Sequence, residues 1–303
     1  MRMKVYFLGT SSAVPTAKRG LSSVAITRGK EVFIFDVGEG MQRNFLQTGI
    51  GVNKIMSIFI THMHSDHVIG LLGLFQTLSL FKRKEEVRIY GPNELLEFIA
   101  VNKRLLNFNI TYPLRFKEVK EGIVVKSKEY TINAIANEHS IESYAYTLEE
   151  MPRPGVFYPE KAIALGIPKG TLWHKLQHGE SIEINGRIIK PEDVTGEKRK
   201  GRKIGISGDT RPNERLIDFF KDSNLLIFDS TYGDDHKDNA KENMHSTASE
   251  AAYIASKANV KLLVLTHFSA RYDDTNILVE EAKKIHPNVI SAEDMLCLDI
   301  PYD

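Results

Sequence analysis

The chain has 303 residues, 42% of them hydrophobic, and a formal net charge of +1. That length supports one large buried core or two modest ones, and the near-zero charge excludes a chain that is basic or acidic throughout. The single cysteine, Cys297, excludes an internal disulfide and favours a reducing, cytoplasmic setting.

From the N-terminus, KVYFLG (4–9) reads as a first strand; its apolar run is too short for a secretory signal. SVAITR (23–28) and EVFIFDVG (31–38) follow as strands, then GMQRNFLQTG (40–49) as a helix. The strand KIMSIFITH (54–62) runs into a helix over 66–81. A strand at 86–92, a helix at 93–106 and strands at 130–139 and 143–150 come next. After a polar stretch, strands at 202–209, 224–232, 261–268 and 288–300 alternate with helices at 211–222, 245–258 and 276–286. The strands are rich in Val, Ile, Tyr and Phe, and helices are interspersed among them, which predicts a layered α/β or α+β domain. No apolar run approaches membrane-spanning length.

Residues 151–203 carry eleven Lys/Arg against six Asp/Glu, a formal +5, while the rest of the chain carries 29 against 33, a formal −4. A solvated basic surface accounts for this; so does an electrostatic footprint for a polyanion.

The densest chemistry is THMHSDHVIG (61–70), with three histidines and one aspartate in six positions. Extended backbone through His64 sends His62 and His64 to the same side, and Asp66 and His67 open the following helix. A strand end, a turn and a helix start thus aim four side chains at one volume. Imidazole and carboxylate without thiolate suit zinc or manganese in a reactive rather than a finger-type site. Three further candidates follow apolar strands: His139, Asp209 and His267. Each alone reads as a turn or cap residue. Together the seven suffice for two metals if one carboxylate bridges, and Asp209 is the carboxylate placed to be shared.

His-x-His-x-Asp-His with a downstream His, Asp and His resembles the metallo-β-lactamase fold. FLGTSSAVPTAKRGLSS (7–23), FDVGEGMQRNFL (35–46), ISGDTRP (206–212), DSTYG (229–233), HSTASEAA (245–252) and LTHFSARY (265–272) narrow the resemblance to the ribonuclease Z family, which trims the 3′ trailer of precursor tRNA. The resemblance implies a single α/β domain over 1–303, a metallo-β-lactamase-like αββα sandwich, with an inserted RNA-binding arm at 157–195. It implies two zinc ions per subunit: one held by His62, His64 and His139, the other by Asp66, His67 and His267, with Asp209 bridging. The resemblance further implies cleavage that leaves a 3′-hydroxyl on the tRNA and a 5′-phosphate on the trailer, with Asp66 also accepting a proton. Asp36 orients a ligand histidine, or is a strand-end turn residue.

His245 is either a neighbour of the cap residue Ser246 or Thr247, or, as the resemblance implies, a catalytic group near the scissile phosphate. The family pairs that histidine with a glutamate; here Asp229, one methylene shorter, stands in its place and implies a closer or water-bridged pair. Arg271, with Ser269, is a candidate phosphate contact, or Arg271 is a plain surface residue. In the arm, EKAIALG reads as a helix stopped by Gly166 and TLWHKLQHG as a second, with Trp173 in a small local core. Lys161, Lys169 and Lys175 are then free for RNA. The family's Pro-x-Lys-x-Arg-Asn loop reads Pro15-Thr16-Ala17-Lys18-Arg19-Gly20 here, with its basic residues shifted. The implied partners are precursor tRNA and a second copy of the chain, and no membrane. A small-molecule hydrolase of the same fold is the competing expectation, though it has no use for a basic insertion between His139 and Asp209. A metal-stabilised RNA-binding module is a third.

Overall fold

The computed structural model describes residues 1–302. Its strands, in chain order, are β1 (Met3–Gly9), β2 (Ser23–Arg28), β3 (Glu31–Phe35), β4 (Ile55–Phe59), β5 (Val87–Gly91), β6 (Leu114–Glu118), β7 (Gly122–Lys126) and β8 (Tyr130–Ala136). They continue as β9 (Tyr144–Glu150), β10 (Ile182–Ile184), β11 (Arg187–Ile189), β12 (Lys203–Ile206), β13 (Leu225–Asp229), β14 (Leu263–Thr266), β15 (Val289–Ser291) and β16 (Cys297–Asp299). The first seven-stranded sheet has the order β16-β1-β2-β3-β4-β5-β6, and the second β15-β14-β13-β12-β9-β8-β7.

Alternation along the strands builds the layers. In β3, Phe33 and Phe35 point between the sheets, where they meet Tyr146, Ile204 and Ile227. Val32 and Ile34 point outward, against Phe45 of α1 (Met41–Gln47) and Leu74 of a later helix. In β13, Leu225 and Ile227 point inward, and Leu226 and Phe228 outward onto Phe220, Ala252 and Leu278. Two sheets that are apolar on both faces, packed on each other and covered by helices outside, give the αββα sandwich of a metallo-β-lactamase-type fold. The parallel strands β3 and β4 of one sheet and β12, β13 and β14 of the other end on the same rim. Carboxyl ends of parallel strands are where such sheets place ligands.

The 66–81 helix is two helices, α2 (Ser65–Val68) and α3 (Leu71–Leu80). Gly70 lies at the break, and a Cβ there would sit 2.0 Å from the carbonyl oxygen of Gly38. The close approach fastens the FDVGEG loop to the helix, with Gly70 N–H donating to Val37 O at 2.9 Å. The run 288–300 also divides: β15 edges the second sheet and β16 the first, with the chain turning through Met295 at φ 70°. β6 and β7 were not expected. They are edge strands whose side chains are mostly exposed, so no apolar alternation marks them.

After α4 (Glu94–Leu105), the inserted segment holds α5 (Pro159–Ala164), α6 (Thr171–Gln177), the β10–β11 hairpin and α7 (Pro191–Val194). Its own small core comprises Ala162, Ile167, Leu176, Ile182, Ile189 and Val194, with Trp173 packed against it. Both expected helices form, and Gly166, φ 69°, follows the cap of α5 at Leu165. The hairpin turns on Asn185-Gly186, φ 51° and 76°, an Asn-Gly signal that the sequence displays. The remaining helices are α8 (Glu214–Phe220), α9 (Lys237–Glu242), α10 (Ala248–Lys257) and α11 (Asn276–Lys283). Among the described residues no helix is long and apolar enough to cross a membrane.

Candidate metal centre

β4 stops at Phe59, but the backbone stays extended at His64 (φ −64°, ψ 146°), which then leads into α2. His62 Nε2 and His64 Nδ1 consequently lie 3.0 Å apart, and His139 Nε2 is 3.2 Å from His64 Nδ1. Asp66 and His67 start α2, and His67 Nε2 faces His267 Nε2 at 3.2 Å. Asp66 Oδ2 lies 3.5 Å from His67 Nε2 and 3.4 Å from His267 Nε2. One oxygen, Asp209 Oδ2, faces His62, His67 and His267 Nε2 at 3.6, 3.2 and 3.4 Å. The seven residues thus converge as His62, His64, His139 and Asp209 on one side and Asp66, His67 and His267 on the other.

In four of the five histidines the outward nitrogen already has a partner. His62 Nδ1 is 2.9 Å from Thr61 Oγ1, His67 Nδ1 2.7 Å from Asp36 Oδ2, and His267 Nδ1 2.9 Å from Thr231 Oγ1. His139 Nδ1–H donates to Met244 O at 2.9 Å. Such partners fix the ring and aim Nε2 inward, as ligand histidines require. Asp36 also accepts from Thr61 N–H and Oγ1–H, at 2.7 and 2.9 Å, so it steadies both arms of the His62–His67 corner. Asp36 and His267 have φ of 57° and 62°, left-handed conformations that non-glycine residues rarely adopt and that cluster at functional sites.

The electrostatics favour a cation. Burial, reinforced by neighbouring rings, holds His62 and His64 below the usual imidazole range and keeps them neutral. Burial opposes ionisation of Asp209, yet His267, His67 and His62 hold it well below the usual carboxylate range. Burial likewise opposes charge on His267, but Asp209, with Asp229 and Asp66, pushes it up to about 10. Ionised carboxylates here draw positive charge onto buried rings, a role that divalent cations fill by displacing those protons. Donor type, convergence and outer partners all fit a pair of borderline cations.

Asp229 also lies within reach of this cluster. Its oxygens, however, accept from Thr231 N–H and Oγ1–H (3.0 and 2.7 Å), Thr210 N–H (3.2 Å) and Ser246 N–H (3.3 Å). His245 Nδ1 takes the remaining approach to Asp229 Oδ2 at 2.9 Å. The shorter side chain therefore makes a direct pair, with no bridging water needed. Burial disfavours charge on His245, but Asp229 outweighs it and raises the imidazole above its usual value. His245 precedes α10, whose cap is Thr247.

Arg271 is exposed and lies over the Tyr232 ring, 5.0 Å from its centre, with Nε 3.1 Å from Ser269 Oγ. Lys161, Lys169 and Lys175 are exposed on the inserted segment, away from the ligand cluster in sequence and in packing. Arg19 is not free for a ligand: it is 8% exposed, donates to Tyr272 O and sits over Phe268. Several partners were missed from sequence: Thr61, Thr231, the Met244 carbonyl and the Ala13 N–H, which donates to Asp66 Oδ2 at 2.8 Å. Arg211 and Glu250 were missed too, although Thr247-x-x-Glu250 carries the sequence signature of a capping box.

A family model described as Anti-Pycsar protein Apyc1 matches residues 3–158, the part holding His62 to His67 and His139. A relative from Nitrosopumilus maritimus named Ribonuclease Z is 48% identical over 298 residues, covering 98% of this chain and all (100%) of that one. Another so named, from Archaeoglobus fulgidus, is 43% identical and covers 100% of this chain and 99% of its own. Among solved structures, the short form of human tRNase Z superposes with a TM-score of 0.71 at 27% identity, covering 98% and 99% of the two chains.

Proposed function

Because the chain belongs to the ribonuclease Z family, we propose that it is a zinc-dependent endoribonuclease that removes the 3′ trailer from precursor tRNA in the cytoplasm. The observation that carries the two-ion reading is Asp209 Oδ2, which faces histidines of both ligand groups and so joins them into one centre. His62, His64 and His139 would hold one ion, Asp66, His67 and His267 the other, and Asp209 would serve both. Bound there, two zinc ions would supply Lewis-acid charge and lower the pKa of water towards neutrality; manganese suits the same donors.

The chain's own groups then divide the proton work. Asp66, held by the Ala13 N–H, takes a proton from the attacking water. Water oxygen bonds to phosphorus, the bond from phosphorus to the 3′-oxygen breaks, and its electron pair stays on that oxygen. His245, fixed at Nδ1 by Asp229, gives the departing oxygen its proton. The tRNA keeps a 3′-hydroxyl and the trailer a 5′-phosphate. Arg271, stacked beside Tyr232 near His245, contacts a phosphate next to the cut. Within one domain spanning 1–303, residues 157–195 serve as an arm that grips the RNA through Lys161, Lys169 and Lys175.

End-mapping after incubation with a 3′-extended tRNA transcript tests the reaction. A 2′,3′-cyclic phosphate on the tRNA product would overturn it. Metal analysis should find about two ions per chain, and chelation should abolish cleavage; fully active protein with one ion or none refutes the paired centre. His245→Ala should lower turnover by about 10²- to 10³-fold with ion content unchanged; loss of ions would reassign His245 as a ligand.

We also infer a homodimer. Leu80, Phe81, Leu105 and Leu106 are 81%, 55%, 67% and 55% exposed at the ends of α3 and α4. Thr111 N–H donates to Ser79 Oγ, tying the segment after α4 to the end of α3. A cluster of large apolar side chains left to water supports a covering partner. Sedimentation at micromolar concentration should give twice the mass of the 34.3 kDa chain, and a monomer would refute it.

A further inference from the structure

One ion pair outside the ligand set touches the backbone that carries His245. Arg211 Nη1 donates to the His245 carbonyl and, at 2.9 Å, to Glu250 Oε2; Nη2 reaches Glu250 Oε1 at 2.5 Å. Glu250 is held in turn: Thr247 N–H donates to Oε2 at 3.0 Å, and Glu250 N–H to Thr247 Oγ1 at 3.2 Å. Arg211 N–H donates to Glu138 O at 2.8 Å, next to His139. The two side chains are 13% and 18% exposed, so solvent screens them little.

The two carbonyls at 244 and 245 thus have distinct tasks. Met244 O holds His139, and His245 O holds Arg211. Met244 itself is at φ 58°, a conformation that a non-glycine residue keeps only when its surroundings enforce it. Capping α10 requires Thr247 and Glu250 but no arginine. The guanidinium does something more: its planar fork grips a carboxylate with two bonds and still reaches a carbonyl.

We propose that Arg211 and Glu250 act as positioning residues for His245, fixing its backbone while Asp229 fixes Nδ1, so that Nε2 meets the leaving 3′-oxygen. This rests on the leaving-group role given to His245 above.

The test uses Glu250→Gln, Arg211→Met and Arg211→Lys in the full chain, assayed on a 3′-extended tRNA and on a nitrophenyl phosphodiester. Nitrophenolate leaves without a proton, so His245 matters less there. For Glu250→Gln and Arg211→Met the expected result is a fall of about tenfold in kcat on the tRNA, with KM and ions per chain unchanged, and under about threefold on the aryl ester. Arg211→Lys, which keeps the charge but loses the fork, should fall between. Combining Glu250→Gln with His245→Ala should add no further loss, because the pair acts through that ring. Additive losses, equal losses on both substrates while His245→Ala itself discriminates, or loss of ions would overturn the proposal. If His245→Ala affects both substrates equally, the leaving-group reading fails by itself. The double variant then decides alone: no added loss upholds positioning, and additivity overturns it.

Discussion

Asp66→Ala is expected to lower precursor cleavage by about 10³-fold or more, while affinity for a 3′-extended tRNA stays within about threefold. Two losses combine. Asp66 Oδ2 stands 3.5 and 3.4 Å from the Nε2 atoms of His67 and His267, so its removal strips one ion site of its only unshared carboxylate. It also removes the proton acceptor. Asp66→Asn separates the two, since the amide oxygen can still accept from Ala13 N–H and face the same rings but cannot take a proton. It should therefore keep more metal than the alanine variant yet recover little turnover. Single-turnover cleavage, binding to uncleaved transcript and metal analysis on the same preparations distinguish these effects. An alanine variant within tenfold of the parent would remove Asp66 from the chemistry. One that no longer binds RNA would mean that the ion site also shapes the RNA surface.

How much of this was legible follows from where each signal lives. The strands that face the sandwich core declare themselves, because Phe33 and Phe35 alternate with Val32 and Ile34 and every position is apolar. The edge strands β6 and β7 bury too little to leave a pattern. The crossing from β15 to β16 joins two short strands, VIS and CLD, that only the tertiary arrangement assigns to different sheets. In the centre, the seven His and Asp residues singled out from sequence converge, since the carboxyl ends of strands and the start of α2 meet on one rim. The groups that orient them were not. Met244 acts through its carbonyl and Ala13 through its N–H, and main-chain groups carry no residue signature. Thr61 and Thr231 are among the commonest kinds of residue at a strand end, and only the fold shows which rings they face.

The basic surplus was placed too broadly. Residues 157–195 hold five Lys/Arg, namely Lys161, Lys169, Lys175, Arg187 and Lys190, and five Asp/Glu, namely Glu160, Glu180, Glu183, Glu192 and Asp193. The arm is formally neutral, and the +5 of 151–203 belongs to its stem, at Arg153, Lys198, Arg199, Lys200, Arg202 and Lys203 against Glu197. Part of that stem charge is consumed internally: Arg202 is buried against Glu150 at 2.9 Å, and Lys200 pairs with Asp222 at 3.2 Å.

This makes deletion of the arm an unusually clean experiment. Replacing 157–195 with a short Gly/Ser linker leaves net charge unchanged, so lost affinity reports contacts rather than the long-range field. Lys161 lies over the Tyr158 ring at 4.7 Å and Lys169 over Trp173 at 5.7 Å, contacts that hold the stems while the ammonium groups stay at the surface. If Lys161, Lys169 and Lys175 each meet a phosphate, the deletion should flatten the slope of log affinity against log salt by about 2–3. Between low and moderate salt the parent would then lose about fortyfold more affinity than the deletion variant. Precursor cleavage at subsaturating RNA should fall in step with affinity, while hydrolysis of a nitrophenyl phosphodiester persists, because the arm packs on its own small core and contributes no residue to the ligand cluster. An unchanged salt slope with weakened binding would mean that the arm acts through shape or aromatic stacking. Unchanged cleavage of precursor would move the grip to the stem cations Lys198 and Arg199 and to Lys18, since Arg19 is committed to Tyr272.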